Sequence, residues 1–285
     1  MKLLDIFKSY LFSFSLGLAC LMPQGFALAQ GLAMVLDRAG EAEVTNAGKT
    51  ARLNLLDYLP EGAELRLSAG AAATLVYLPT SQEWQFAGPG RYRLESDKPL
   101  ALQGSAPKAR AMPTPASQAM VKLEPAQRER MALGAVVMRG NTALRIVSPN
   151  NVDVLSARPT LLWQAAGGSS VRVTVTPADS QAVSAQTVTS ALQWTMPAEL
   201  PAGKYEWRAE VVSDPPGVPR TGRFHIIDDT DARHKKIGPM PTSFAQRVAR
   251  AVTLESESLP HDALLLWRSL SAERPEEETI RQWAR

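Results

Sequence analysis

The sequence predicts a mainly β chain made of a small all-β domain, a β-sandwich and a C-terminal α-helical hairpin. Three observations predict it. Residues 32–102 and 143–228 are short runs with period-two alternation, which puts successive side chains on opposite faces of a strand. Turn residues separate these runs at about 8–12-residue spacing, the rhythm of small antiparallel folds. Beyond residue 228 the apolar period becomes helical. At 285 residues a single core is not expected, because cores rarely grow past about 250 residues. The 21 prolines lie mostly between periodic segments, which favours several small domains.

The first 29 residues read as an export signal. Lys2 and Lys8 precede "YLFSFSLGLACLM", apolar but too short to span a bilayer, and Ala27 and Ala29 form a small-x-small site. Cleavage is expected after Ala29, with delivery to a bacterial periplasm. A retained anchor and a lipid on Cys20 are the alternatives; Gly17 stands where lipidated leaders usually carry leucine. Cys20 is the single cysteine, so the processed chain has no disulfide, thiol nucleophile or thiolate metal site. Its net charge, +3 for the whole chain and +2 without Lys2, Asp5 and Lys8, gives no field suited to nucleic acid.

In the first β-domain (30–102), "EAEV", "AELRLS", "AATLVYL", "EWQFAG" and "RYRLES" read as strands, punctuated at residues 46–48, 60–62, 68–70 and 88–90. "GEAEV", "LPEGAELRLSAGAAATLVY" and "WQFAGPGRYRL" together resemble the FecR-type periplasmic domain. Gly40, Glu43, Val44, Gly62, Leu65, Ser68, Gly70, Ala73, Leu75, Gly88, Gly90, Tyr92 and Leu94 match its pattern, over about a quarter of the chain. "LPTSQEW" replaces the polar hairpin tip of that family. The resemblance implies a signal-transfer or interaction role with a receptor or sensor ectodomain. Such sensors carry a cytoplasmic segment and a membrane helix first, whereas this chain starts with a cleavable-looking signal, so direct control of a sigma factor is not expected.

Residues 103–140 change composition. Four prolines, many alanines and serines and scattered charge between Gly104 and Arg130 read as a linker, with a short helix after Pro125 and one strand in "ALGAVVMRG". In the sandwich (141–228), Val171, Val173 and Val175 share a face. So do Val188, Leu192, Trp194 and Met196, then Tyr205, Trp207, Ala209 and Val211, then Phe224 and Ile226. "RPTLLW" resembles the core-tryptophan strand of fibronectin type III or immunoglobulin-like modules, and "LPAGKYEW" their tyrosine corner. Trp163, Trp194, Tyr205 and Trp207 are therefore the expected sandwich core, with the Tyr205 hydroxyl bonded a few residues upstream.

The tail (229–285) opens with "DDTDARHKK", read as a linker. Helices follow at Phe244, with Thr242 or Ser243 as N-cap, and after Pro260 and Pro275. "HDALLLWRSLSAERP" faintly resembles half of a tetratricopeptide hairpin. One such hairpin cannot bury its own face, so it must dock on the sandwich, on another copy or on a partner.

For chemistry there is little. His225, His234 and His261 lie on separate segments, and no HExxH, CxxC, GxSxG, P-loop or GxGxxG occurs. A triad assembled in space stays the one route to hydrolysis. Asp228, Asp229 and Asp231 could offer calcium oxygens, but no turn Gly or distal Glu completes a loop, so they read as the end of a strand. No metal or cofactor is expected. The candidate interaction surface is Trp84 and Tyr92 in the first domain and Phe244, Trp267 and Trp283 in the tail, each with core packing as the competing reading. The expected function is a non-enzymatic periplasmic interaction, scaffold or signal-transfer module that binds a periplasmic or membrane-protein ectodomain. A cell-wall glycan module binding peptidoglycan is the alternative.

Overall fold

A computed structural model describes residues 31–112, 116, 118–121, 144–213, 215 and 217–285. The signal segment with Cys20, the helix after Pro125 and the strand in residues 132–140 lie outside the described residues. The chain is mainly β, with several antiparallel sheets and short C-terminal helices.

The N-terminal unit packs two five-stranded sheets. One contains β1 (Ala33–Ala39), β4 (Tyr58–Leu59), β6 (Ala72–Tyr77), β7 (Gln82–Ala87) and β10 (Lys108–Ala111), in the order β10-β7-β6-β1-β4. The other is β3-β2-β5-β8-β9, from β2 (Ala42–Asn46), β3 (Lys49–Arg52), β5 (Glu64–Leu67), β8 (Gly90–Leu94) and β9 (Pro99–Gln103). Alternation decides their inner faces: Leu65, Leu67, Tyr92 and Leu94 point inward, Arg66, Arg91 and Arg93 outward. Gly88 is required by close approach, since a Cβ there would sit 1.9 Å from the Ser68 carbonyl oxygen. β10 falls in the stretch read as linker. Its residues are all exposed, so composition looked like a linker while its backbone completes the sheet beside β7.

The second unit is a sandwich of a three-stranded and a five-stranded sheet. The smaller holds β11 (Arg145–Ser148), β13 (Thr160–Gln164) and β16 (Gln193–Thr195). The larger runs β12-β18-β17-β14-β15, from β12 (Val152–Val154), β14 (Val171–Pro177), β15 (Ala185–Thr189), β17 (Gly203–Val211) and β18 (Arg220–Ile226). The β14, β17 and β18 face expected inward is inward. The expected face through Val188, Leu192, Trp194 and Met196 does not exist. The chain leaves one sheet after β15 and enters the other at β16, so parity is lost in between: Met196 is buried, Trp194 half-buried, and Val188 and Leu192 are exposed.

The tail forms α1 (Ala232–Ile237), α2 (Phe244–Ser256), α3 (Pro260–Glu273) and α4 (Glu278–Trp283). Asp231 caps α1 by accepting the Arg233 N–H, in a segment expected to be a linker. Ser243 caps α2 by accepting the Gln246 N–H, and Pro260 starts α3, both as expected. α2 ends with Ser258 at φ +59° and the Leu259 N–H on the Leu254 carbonyl, a Schellman-type close that orients α3 back along α2.

The helices dock within the chain. Phe244, Val248, Val252, Trp267, Leu270, Ile280 and Trp283 join one continuous core with Ala33, Met34, Val35 and Leu36 of β1. β1 is thus buried on both faces, by the other sheet and by α2. Two ion pairs fasten the end of α3 and the start of α4 to the same strand. Arg38 meets Glu277 at 2.7 Å with both side chains almost fully buried, and Arg274 meets Asp37 at 3.4 Å while lying 4.5 Å above the Phe244 ring. The sandwich keeps a separate core of its own.

Candidate functional site

The tail also touches the sandwich, and an open cleft of about 690 Å³ lies between them. Its apolar wall is Val152, Ala178, Tyr205, Phe224 and Pro260; its polar groups are Asn151, Asp153, Lys204, Arg223, His225, Glu255 and Ser258. Strand register builds this wall. β12 runs parallel to β18 and places Asp153 beside His225, and β17 places Lys204 on the other side of His225.

A chain of polar contacts holds the imidazole. His225 Nδ1 lies 3.1 Å from Asp153 Oδ1, and Asp153 Oδ2 accepts from Arg233 of α1 at 2.8 Å. Burial opposes ionisation of Asp153, but the bonds from Arg233 and His225 outweigh it and hold the carboxyl below its usual range. Arg233 is itself fixed by Asp231, whose carboxyl that hydrogen bond depresses strongly. The arrangement holds the ring through Nδ1, and no hydrogen bond to Nε2 occurs among the described residues. Asp153 and His225 have the orienter–base relation of a triad, yet no hydroxyl is hydrogen-bonded to His225 among the described residues. What the cleft offers is recognition: apolar contact beside Lys204, Arg223, which is paired with Glu206, and a held imidazole.

At the tail–sandwich contact, the buried His261 and the half-buried Asp262 shift in opposite directions. The fully buried His261 has Nδ1 2.9 Å from the Ser148 hydroxyl, and burial lowers its pKa to about 4. Asp262 accepts the Leu155 N–H at 2.9 Å, and burial raises its pKa to about 6.

The expected interaction residues do not make a surface. Tyr92, Phe244, Trp267 and Trp283 are buried, because β1 supplies a cover that the tail lacks alone and because Tyr92 lies between the two N-terminal sheets. Trp267 and Trp283 pack on each other with tilted rings, 5.6 Å between ring centres. Trp84 is half-buried, edge-on to Tyr77. The sandwich residues stand where expected: Trp163 and Trp207 are 6.3 Å apart in the core, Trp194 packs on its rim, and the Tyr205 hydroxyl donates to the Pro201 carbonyl at 2.9 Å. The three aspartates do not converge on a cation site. Asp228 accepts from Thr230, Asp231 holds Arg233, and no cluster of three or more metal-ligating side chains occurs among the described residues.

The sequence named His225 as one of three histidines on separate segments, and Asp153 and Arg233 were not among its candidates. His225 and Arg233 lie 72 and 80 positions after Asp153, and the parallel β12–β18 pairing brings Asp153 to them. No protein-family model matches this chain, and a search of curated proteins finds no match.

Proposed function

We propose that this chain is a non-enzymatic periplasmic interaction module, exported by a cleavable signal, with an N-terminal domain of FecR type that serves a scaffold or signal-transfer role. One observation carries the reading: the tail packs on both β units and leaves, between itself and the sandwich, a cleft lined by apolar side chains and by Lys204, Arg223 and His225. A cleft formed where units meet is a common place for recognition. Its partner is the ectodomain of a periplasmic or membrane protein.

A photo-crosslinking amino acid placed at Lys204 or Arg223, in cells expressing the full chain, tests this. Crosslinks to one membrane-protein ectodomain, lost in an Asp153→Ala/His225→Ala variant that still folds, are expected. Crosslinks that are absent, or that ignore the double variant, would refute the cleft as the contact surface. Co-sedimentation with peptidoglycan would instead favour the glycan alternative, although Tyr92 now faces the core and leaves that reading only Trp84.

A further inference from the structure

A sheet edge exposes unpaired N–H and C=O groups, and proteins blunt such edges with charge, proline, bulges, brevity or a cover. Among the described residues, seven of the eight sheet edges are blunted. β3 carries Lys49 and Arg52, and β10 carries Lys108 and Arg110. β4 is two residues long and β16 three. β9 starts at Pro99 and is bulged against β8, while β11 carries Arg145 and is bulged against β13. β12 is short, carries Asp153 and lies against α3.

Among the described residues, β15 has none of these devices. Its five residues, Ala185–Thr189, pair with β14 in unbroken register and contain no charge and no proline. It sits within 19 consecutive uncharged residues, 180–198. Val183, Val188 and Leu192 around it are each about half exposed, at 53%, 53% and 52%.

We propose that β15 is a self-pairing edge: two copies of this chain join antiparallel along it, so that two five-stranded sheets become one of ten strands. The absence of charge selects a second copy over a foreign strand. In a two-fold antiparallel pairing each side chain meets its own image or that of a close neighbour, so charge on the strand sets like against like. A foreign partner could exploit complementary charge instead. Centred on Thr187, the pairing sets Thr187 against itself and Gln186 against Val188 of the second copy. Cross-strand threonine pairs already occur twice in this molecule, Thr45 with Thr50 and Thr160 with Thr195, each at 2.8 Å between hydroxyls.

Sedimentation velocity on the chain, processed from its own leader, tests this with two double variants at exposed positions. Gln186→Lys/Val188→Lys and Gln186→Glu/Val188→Glu each oppose like charges across the axis. Each is expected to weaken self-association at least tenfold with unchanged near-ultraviolet circular dichroism, and an equimolar mixture of the two is expected to restore the dimer. A wild-type chain that stays monomeric up to its solubility limit overturns the proposal. So does a dimer that both double variants leave intact, or a monomer that uses this edge to bind a different protein.

Discussion

The two β units contain the same short device. In the sandwich, Gly203-Lys204-Tyr205-Glu206-Trp207 sends the Tyr205 hydroxyl to the Pro201 carbonyl at 2.9 Å. In the N-terminal unit, Gly90-Arg91-Tyr92-Arg93-Leu94 sends the Tyr92 hydroxyl to the Ala87 carbonyl at 2.6 Å. Each tyrosine faces inward at the start of a strand and packs on a phenylalanine, Phe224 or Phe86. The units differ in how they are closed. The sandwich has its own core, whereas the N-terminal unit shares one with the helical tail. A domain that borrows part of its core should stand or fall with the lender.

Removing residues 238–285 tests that difference most severely. It bares the apolar side of β1, so the N-terminal unit is expected to unfold while the sandwich survives as a protease-resistant fragment of about residues 144–228. An N-terminal unit that stays folded would erase the contrast. Next in size is Glu277→Ala, which leaves Arg38 charged, buried and unpaired. A cost of about 3–5 kcal/mol is expected in urea unfolding, confined to the transition that includes the tail.

The tail–sandwich contact is probed by pH. The His261 pKa is lowered on folding, so its contribution is complete above about 6.5 and is lost as pH falls toward 4. The Asp262 pKa is raised, so its contribution is complete below about 3.8 and is lost as pH rises through 6. Between pH 4 and 6 the unfolded chain protonates the histidine and the folded chain the aspartate, and the two slopes cancel. Asp262→Asn should therefore make stability rise by about 3 kcal/mol from pH 4 to 6.5. His261→Asn should make it fall by a similar amount from pH 4 to 6, both measured as thermal midpoints. Parallel slopes in the two variants would contradict the opposite shifts of the two groups.

The smallest test returns to the tyrosines. Tyr205→Phe should cost about 1 kcal/mol, the net value of one hydrogen bond. Tyr92→Phe should cost more, about 2 kcal/mol, because Tyr92 is fully buried between the sheets and its hydroxyl bond is the shorter of the two. Equal shifts in melting temperature would show that the two tyrosines are equivalent.

The sandwich was legible because its signals are local. Alternation at Val171–Val175 and Tyr205–Val211 fixed an inner face before any partner was known. Tyr92 carried the same Gly-basic-Tyr-x-apolar pattern as Tyr205, and reading the two side by side would have placed it in the core rather than on a surface. A second signal lay in Leu32–Leu36, five apolar residues without alternation, which marks a strand covered on both sides. That run indicated that something must lie on β1.

The sequence by itself determined the mainly β class, most of the sandwich strands, where α2 and α3 begin, and which tryptophans face the sandwich core, because these follow from side-chain period and capping within a few residues. Tertiary structure alone decided that Trp267 and Trp283 are covered, that Asp153, His225 and Arg233 meet, and that Val188 and Leu192 stay exposed on an unblunted edge. Each depends on which distant surface arrives: β1 lies more than 200 positions before the tail it covers, and the switch of sheets after β15 cancels the parity by which a sequence predicts a buried face.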